Sequence, residues 1–358
     1  MFFFKPALRT LGAALAVAAL LSACGGSGSG TTTTVATGTS TLVGIAYDGS
    51  TNSLAVADSD GQVIRTVGIA TSVVGVPAGT AFVAGSADGT GTGAGFNFPY
   101  GVARIGTDTY IADTGNHTIR KMTAAGVVTT VAGLVGKPGY VDGTGTAAQF
   151  TNPKGIATDG VNLYVSDSAN NTVRQVTLAG VVTTVAGYPG QLGQVDATAT
   201  NARFYNPFGL APDGAGNLYV ADSLNNTVRK IVLATGVVTT LAGSTATTAG
   251  STDGTTGATS TFNGPAGIAV YNGFAYVSDA INYTIRKIDL NTGATTTLAG
   301  AAGSTGYVDA VGSAARFGKV YGVCSDNQGN LYVADSTARK IRKIEIATGN
   351  VTSLSPQF

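Results

Sequence analysis

Between residues 153 and 187 the chain alternates apolar with small or polar positions in four short runs, each closed by a turn signal. Pro153-Lys154-Gly155-Ile156-Ala157-Thr158 meets Asp159-Gly160, and Asn162-Leu163-Tyr164-Val165-Ser166-Asp167 meets Ser168-Ala169-Asn170-Asn171. Thr172 to Val176 stops before Ala179-Gly180, and Val181 to Gly187 is rich in β-branched residues. Runs of this length and period, punctuated by Gly, Asn and Asp, predict four antiparallel strands. A longer loop, Tyr188 to Asn206, leads to the next such unit at Pro207-Phe208-Gly209.

The unit recurs. The second run ends on Asp58, Asp113, Asp167, Asp222, Asp279 and Asp335, at steps of 55, 54, 55, 57 and 56 residues. A fixed period this long means one supersecondary unit used six times. The predicted fold is all-β, a six-bladed propeller of four-stranded antiparallel blades. A solenoid would need capping units, whereas Thr41 opens directly into Leu42-Val43-Gly44-Ile45-Ala46, a first strand like the others. Small residues such as Gly155 and Ala157 fit an innermost strand crowded at the axis. Chain direction reverses at every strand, so the Asn-rich turns and the long linking loops gather on one face. The opposite face receives only short turns. Whether the first strand completes its own blade or the last one stays open.

Composition agrees: 52 of 358 residues are glycine, about twice the average usage, and 11 % are charged. With a net charge of +1 and no basic stripe, the chain lacks the electrostatic footprint of a nucleic-acid binder. Lys5 and Arg9 precede the apolar run Leu11 to Leu21, which is too short to span a bilayer. The run ends in Leu21-Ser22-Ala23-Cys24, which resembles a bacterial lipobox. That resemblance implies a signal peptide over 1–24, lipidation of Cys24 and attachment to the cell envelope. No aspartate follows Cys24, which in the Gram-negative sorting pattern favours the outer membrane, at its periplasmic face or the cell surface. Residues 25–40, rich in Gly, Ser and Thr, read as a flexible tether, and 41–358 as the propeller. A monomer is expected, since six units close a ring by themselves.

Pro-x-Gly-Ile-Ala, then Asn-Leu-Tyr-Val-Ala-Asp-Ser, then Asn-Asn-Thr-Val-Arg-Lys resembles the NHL repeat family of β-propellers. Copies two to five match closely, while Gly61 and Ala338 replace the turn asparagine in copies one and six. The loop Tyr140 to Phe150 is similar to the expanded loops of exported bacterial members. The resemblance implies binding of a protein, peptide, RNA or glycan. A minority of six-bladed relatives are metal-dependent hydrolases or lyases of the gluconolactonase or streptogramin lyase type, the alternative reading.

Most acids have structural work to do. Each strand-ending aspartate is followed seven residues on by Arg65, Arg120, Arg174, Arg229, Arg286 or Arg342. An ion pair supported by turn N–H groups explains both series better than a carboxylate ring around a cation. Asp88, Asp142, Asp196, Asp253 and Asp309 lie in the long loops, three of them before glycine, and read as turn formers. Phe96, Phe150, Phe204, Phe262 and Phe317 are expected to fold those loops back on the blades. Asp48, Asp159, Asp213 and Asp326 sit in the first hairpin turn. The only histidine, His117, reads as a solvated loop residue, and Cys324 as a buried inert thiol. With one histidine and one glutamate, neither a catalytic triad nor a His/Glu metal cage is assembled, and no metal or other cofactor is expected.

The residues that differ between copies are the candidates for recognition. Before each inner-strand glycine stand Val43, Tyr100, Lys154, Phe208, Ala266 and Tyr321. Strand parity puts them at the axis on the long-loop face. Tyr100, Lys154, Phe208 and Tyr321 would either receive a peptide or sugar or plug the channel. Arg104, Arg203, Arg316 and Lys319 are candidate rim contacts. The expected function is a membrane-anchored, non-catalytic binding or scaffold module of the envelope.

Overall fold

The computed structural model describes residues 38–244 and 248–354. The signal segment, Cys24 and all of the tether before residue 38 lie outside them. Six sheets follow one another along the chain, each built from consecutive antiparallel strands. In blade 3 these are Pro153–Thr158, Asn162–Asp167, Thr172–Thr177 and Val181–Ala186. The innermost strands of the other blades are Leu42–Asp48, Pro99–Ile105, Pro207–Pro212, Pro265–Tyr271 and Val320–Ser325.

Three blades gain a fifth strand that the sequence pattern did not predict. Gly89–Thr90, Gly143–Thr144 and Ala197–Thr198, all from the loop entering a blade, pair with that blade's outermost strand. In blades 5 and 6 the pairing shrinks to single bridges, Gly254 with Thr295 and Val311 with Asn350. A free outer edge would template pairing with other chains, and these short segments cover it.

Ring closure uses no strand exchange. Leu42–Asp48 pairs with Ser53–Asp58 of its own blade, and blade 6 takes its last strand, Asn350–Leu354, from its own sequence. The faces of neighbouring blades close instead through apolar packing. Leu42, Ile45, Leu54 and Val56 of blade 1 bury against Tyr332, Ala334 and Ile341 of blade 6. Thr114 Oγ1 donates to the Pro153 carbonyl and Ser168 Oγ to that of Pro207, each at 2.6 Å. Ser336 Oγ makes the same bond to the Leu42 carbonyl across the closure.

At the axis the blades meet through backbone. Each innermost strand bulges where its register with the second strand shifts, as between Pro153 and Ile156. The bulge holds the variable residue and the glycine after it, and turns them out of the ladder. A Cβ on Gly155 would collide with the Phe208 carbonyl, one on Gly267 with that of Tyr321, and one on Gly322 with that of Val43. These glycines set how closely adjacent blades approach, right round the closed ring.

Candidate functional site

Asp113 is fully buried and accepts three bonds: from the Asn97 amide at 2.8 Å, Asn116 Nδ2 at 2.8 Å and Arg120 Nη1 at 2.8 Å. Burial pushes its carboxyl up to about 6, against the pull of these donors, which favour the charged form. Asp167–Arg174, Asp222–Arg229, Asp279–Arg286 and Asp335–Arg342 repeat the pair at 2.8, 3.0, 2.9 and 3.2 Å. In blade 1 Arg65 Nη2 meets Asp58 at 2.6 Å and donates to Ser40 Oγ.

The same arginines take hold of the loop acids, which are therefore more than turn formers. Arg120 Nη2 reaches Asp88 at 2.7 Å, and Asp88 also accepts from the Thr130 amide and hydroxyl on the outermost strand. Arg174–Asp142, Arg229–Asp196, Arg286–Asp253 and Arg342–Asp309 follow at 2.6 to 2.8 Å. The guanidinium of Arg174 lies 5.1 Å from the centre of the Phe150 ring, and Arg342 lies 4.9 Å from that of Phe317. Each long loop is thus pinned by an aspartate, an arginine, a second aspartate and a phenylalanine. Among the described residues no three His, Cys, Asp or Glu side chains converge to hold a metal ion.

His117 is not a freely solvated loop residue. It closes the turn after the second strand with φ 61°, as Asn171 and Asn226 do in the next two copies. From that position Asn171 Oδ1 accepts from the Asn206 amide at 2.8 Å, and Asn226 Oδ1 from the Gly264 amide at 2.9 Å. His117 Nδ1 accepts from the Asn152 amide at 3.2 Å. The left-handed turn aims these side chains at the next blade, where they latch the chain entering it. Burial holds the imidazole below its usual pKa, which keeps the accepting nitrogen unprotonated.

The four mouth residues do come together. Tyr100, Phe208 and Tyr321 stand on alternate blades, with ring centres 5.5 Å apart (Tyr100–Phe208) and 5.9 Å apart (Phe208–Tyr321). Lys154 Nζ lies 5.9 Å from the Tyr100 ring centre and 5.2 Å from that of Phe208, and donates to Asn206 Oδ1 at 3.3 Å. Burial raises the Tyr100 hydroxyl to about 12 and lowers the Lys154 ammonium. Val43 and Ala266 leave room for these rings, since six large side chains would not fit round one axis. The cavity among them is only about 60 Å³. Lys319 Nζ lies 5.4 Å from the Tyr321 ring centre.

Two of the rim candidates, Arg203 and Arg316, are turned back on their own loops, donating to the carbonyls of Thr200 and Ser313 respectively. Arg104 stands at the other end of its strand and pairs with Asp48 at 2.7 Å, so it is not at the mouth. Sequence reasoning overlooked the opposite end of the axis. There a funnel of about 920 Å³ opens among the short turns, lined by Tyr47, Asp213, Asn217, Tyr271 and Asn272. Cys324, partly exposed, forms part of its wall, and burial of the sulfur together with Asp326 keeps the thiol protonated.

No family model matches the chain. It is 29 % identical over 307 residues to NHL repeat-containing protein 2 of Bos taurus, an alignment covering 76 % of this chain and 42 % of that protein. The chain spans less than half the length of the relatives of that name it matches. Among solved structures, an auxiliary nutrient binding protein from Bacteroides thetaiotaomicron superposes with TM-score 0.63 at 15 % identity, over 89 % of this chain and 70 % of that one. Virginiamycin B lyase from Staphylococcus aureus superposes with TM-score 0.52 at 12 % identity, over 88 % and 84 %. At such identities a likeness shows the fold alone. The repeated motif, the ring of six blades and the relatives that carry its name make this chain a β-propeller of NHL-type repeats.

Proposed function

We propose that the chain is a non-catalytic binding module that holds a protein, peptide or glycan of the cell envelope against its long-loop face. One observation carries the reading. Among the described residues, fifteen of the twenty-two exposed large apolar side chains belong to the long loops and Asn-rich turns, including each exposed aromatic: Phe98, Tyr140, Tyr188, Tyr205 and Tyr307. Concentration on one face is what distinguishes an interaction surface from scattered apolar exposure. Around the axis the plug of Tyr100, Lys154, Phe208 and Tyr321 continues that surface with aromatic edges and an ammonium group. The acids repeated round the ring are tied to arginines, leaving recognition to residues that differ between blades.

The reading includes export and lipidation of Cys24, supported by the Leu21-Ser22-Ala23-Cys24 signature, so that the propeller works as a monomer carried on an envelope membrane. The test compares capture of envelope components by the wild type, by Tyr140→Ser/Tyr188→Ser/Tyr307→Ser, and by Val73→Ser/Val161→Ser on the opposite side. Components lost from the first variant and kept by the second support the long-loop face. Equal recovery by all three would remove it from consideration.

A further inference from the structure

The axial channel is closed at one end and open at the other, and its open end is chemically layered. Beneath the glycines the six innermost strands contribute Ile45, Val102, Ile156, Leu210, Ile268 and Val323, each 5–7 % exposed. These branched side chains form an apolar floor, sealed from behind by the aromatic plug. One residue further along comes a ring of five alanines and Cys324, whose small size leaves the well wide. The rim is polar and lopsided, built mostly from the short turns of blades 4, 5 and 6. Asp213 and Lys230 are its only charged lining residues, one of each sign. Asp213 is already held by the Ala215 amide, Asn217 Nδ2 and the Tyr219 hydroxyl. The side-chain amides of Asn272, Asn291 and Asn327 border the opening and make no side-chain hydrogen bond among the described residues.

We propose that this funnel is a second binding site, for a small neutral amphipathic molecule that enters apolar end first and leaves a hydroxyl- or amide-bearing head at the rim. Its volume lies in the range of pockets that enclose a drug-sized ligand. An apolar floor rewards an acyl or aromatic group by removing it from water, at about 25 cal/mol per Å² buried. Unpaired amides favour hydroxyls, and at this rim an anion would meet Asp213 as well as the one lining cation, Lys230, so that its desolvation is only partly offset. The site lies on the face opposite the one assigned to macromolecular binding, so the two can be separated by experiment.

The probe is octyl β-glucoside below its micelle concentration, titrated calorimetrically into the full chain, with glucose and octyl sulfate as comparisons. Saturable binding at one site per chain is expected, with glucose and octyl sulfate each weaker by tenfold or more. Ala157→Leu/Ala269→Leu fills the well and should abolish binding, while Tyr140→Ser/Tyr188→Ser/Tyr307→Ser should leave it unchanged. If the filled variant does not fold, Asn272→Ala/Asn291→Ala on exposed turns serves instead. Losing two hydrogen bonds to the head should then weaken octyl glucoside roughly tenfold. No one-site binding by the wild type, octyl sulfate binding as tightly, or affinity undiminished in the filled or rim variant would each overturn the proposal.

Discussion

Replacing Arg229 with methionine keeps most of the side-chain stem and removes the charge at the centre of blade 4. The guanidinium there bonds Asp222 at 3.0 Å, Asp196 at 2.6 Å, and the carbonyls of Arg203 and Val195 at 2.9 and 3.0 Å. Its loss strands the two acids differently. Asp196 is about half exposed, and water takes over its charge. Asp222 is fully buried and keeps only the Tyr205 amide and Asn225 Nδ2, each at 2.7 Å. Breaking a buried pair from one side costs ~3–5 kcal/mol, because a buried charge is left unmatched. Denaturant unfolding reads the global loss, and hydrogen exchange of blade 4 amides reads the local one, with exchange faster by roughly 10²- to 10⁴-fold. Burial already pushes Asp222 up to about 6, and losing Arg229 pushes it higher. An acid raised in the folded state binds more protons there than in the unfolded chain, so stability falls as pH rises. The deficit should therefore shrink towards pH 5. Asp222→Asn/Arg229→Met should recover ~2 kcal/mol or more of the loss, having no charge to bury. A single-variant cost under ~1 kcal/mol, or a double variant no better than the single, would refute the reasoning.

Gly155→Ala drives a methyl group into the Phe208 carbonyl and should lower stability by ~1–3 kcal/mol or more, read as a drop in Tm. Phe208→Ala removes the ring that joins Tyr100 to Tyr321; a loss of ~2–4 kcal/mol is expected, and an unchanged Tm would count against the plug. His117 has its pKa lowered in the fold, so its contribution is complete above the unfolded value near 6.5 and fades as pH falls through the folded one. The gap in stability between wild type and His117→Asn should move in favour of asparagine between pH 7 and pH 5, since asparagine keeps an acceptor at acid pH; a pH-independent gap would contradict the latch.

The blades were legible because every strand carries its own local signal. In blade 3 the period-two runs and their turn residues place the strands within a residue of where they lie. The fifth strands were not, since two residues such as Gly89–Thr90 have no period to read. The long-loop acids were read as local turns because their arginine is far off in sequence: Asp142 meets Arg174 of the following blade. One signal was present: Asp88–Phe96, Asp142–Phe150, Asp196–Phe204 and Asp309–Phe317 keep the same interval through loops that otherwise differ. A constant spacing in a variable loop marks both ends as fixed in space. The funnel could not be read at all, because its lining is gathered from strands more than fifty residues apart and its width depends on the ring's diameter.

The central claim is that the repeated acids are occupied by arginines and amides and hold the ring together. Thermal melting of the purified chain in chelator, and then in Ca²⁺, Mg²⁺ or Mn²⁺, tests it most directly. A cation present at a hundredfold over its Kd stabilises the protein it binds by about 2.7 kcal/mol, or several degrees in Tm for a domain of this size. The account predicts the same Tm in all four conditions, and a rise of several degrees with any one cation would contradict it.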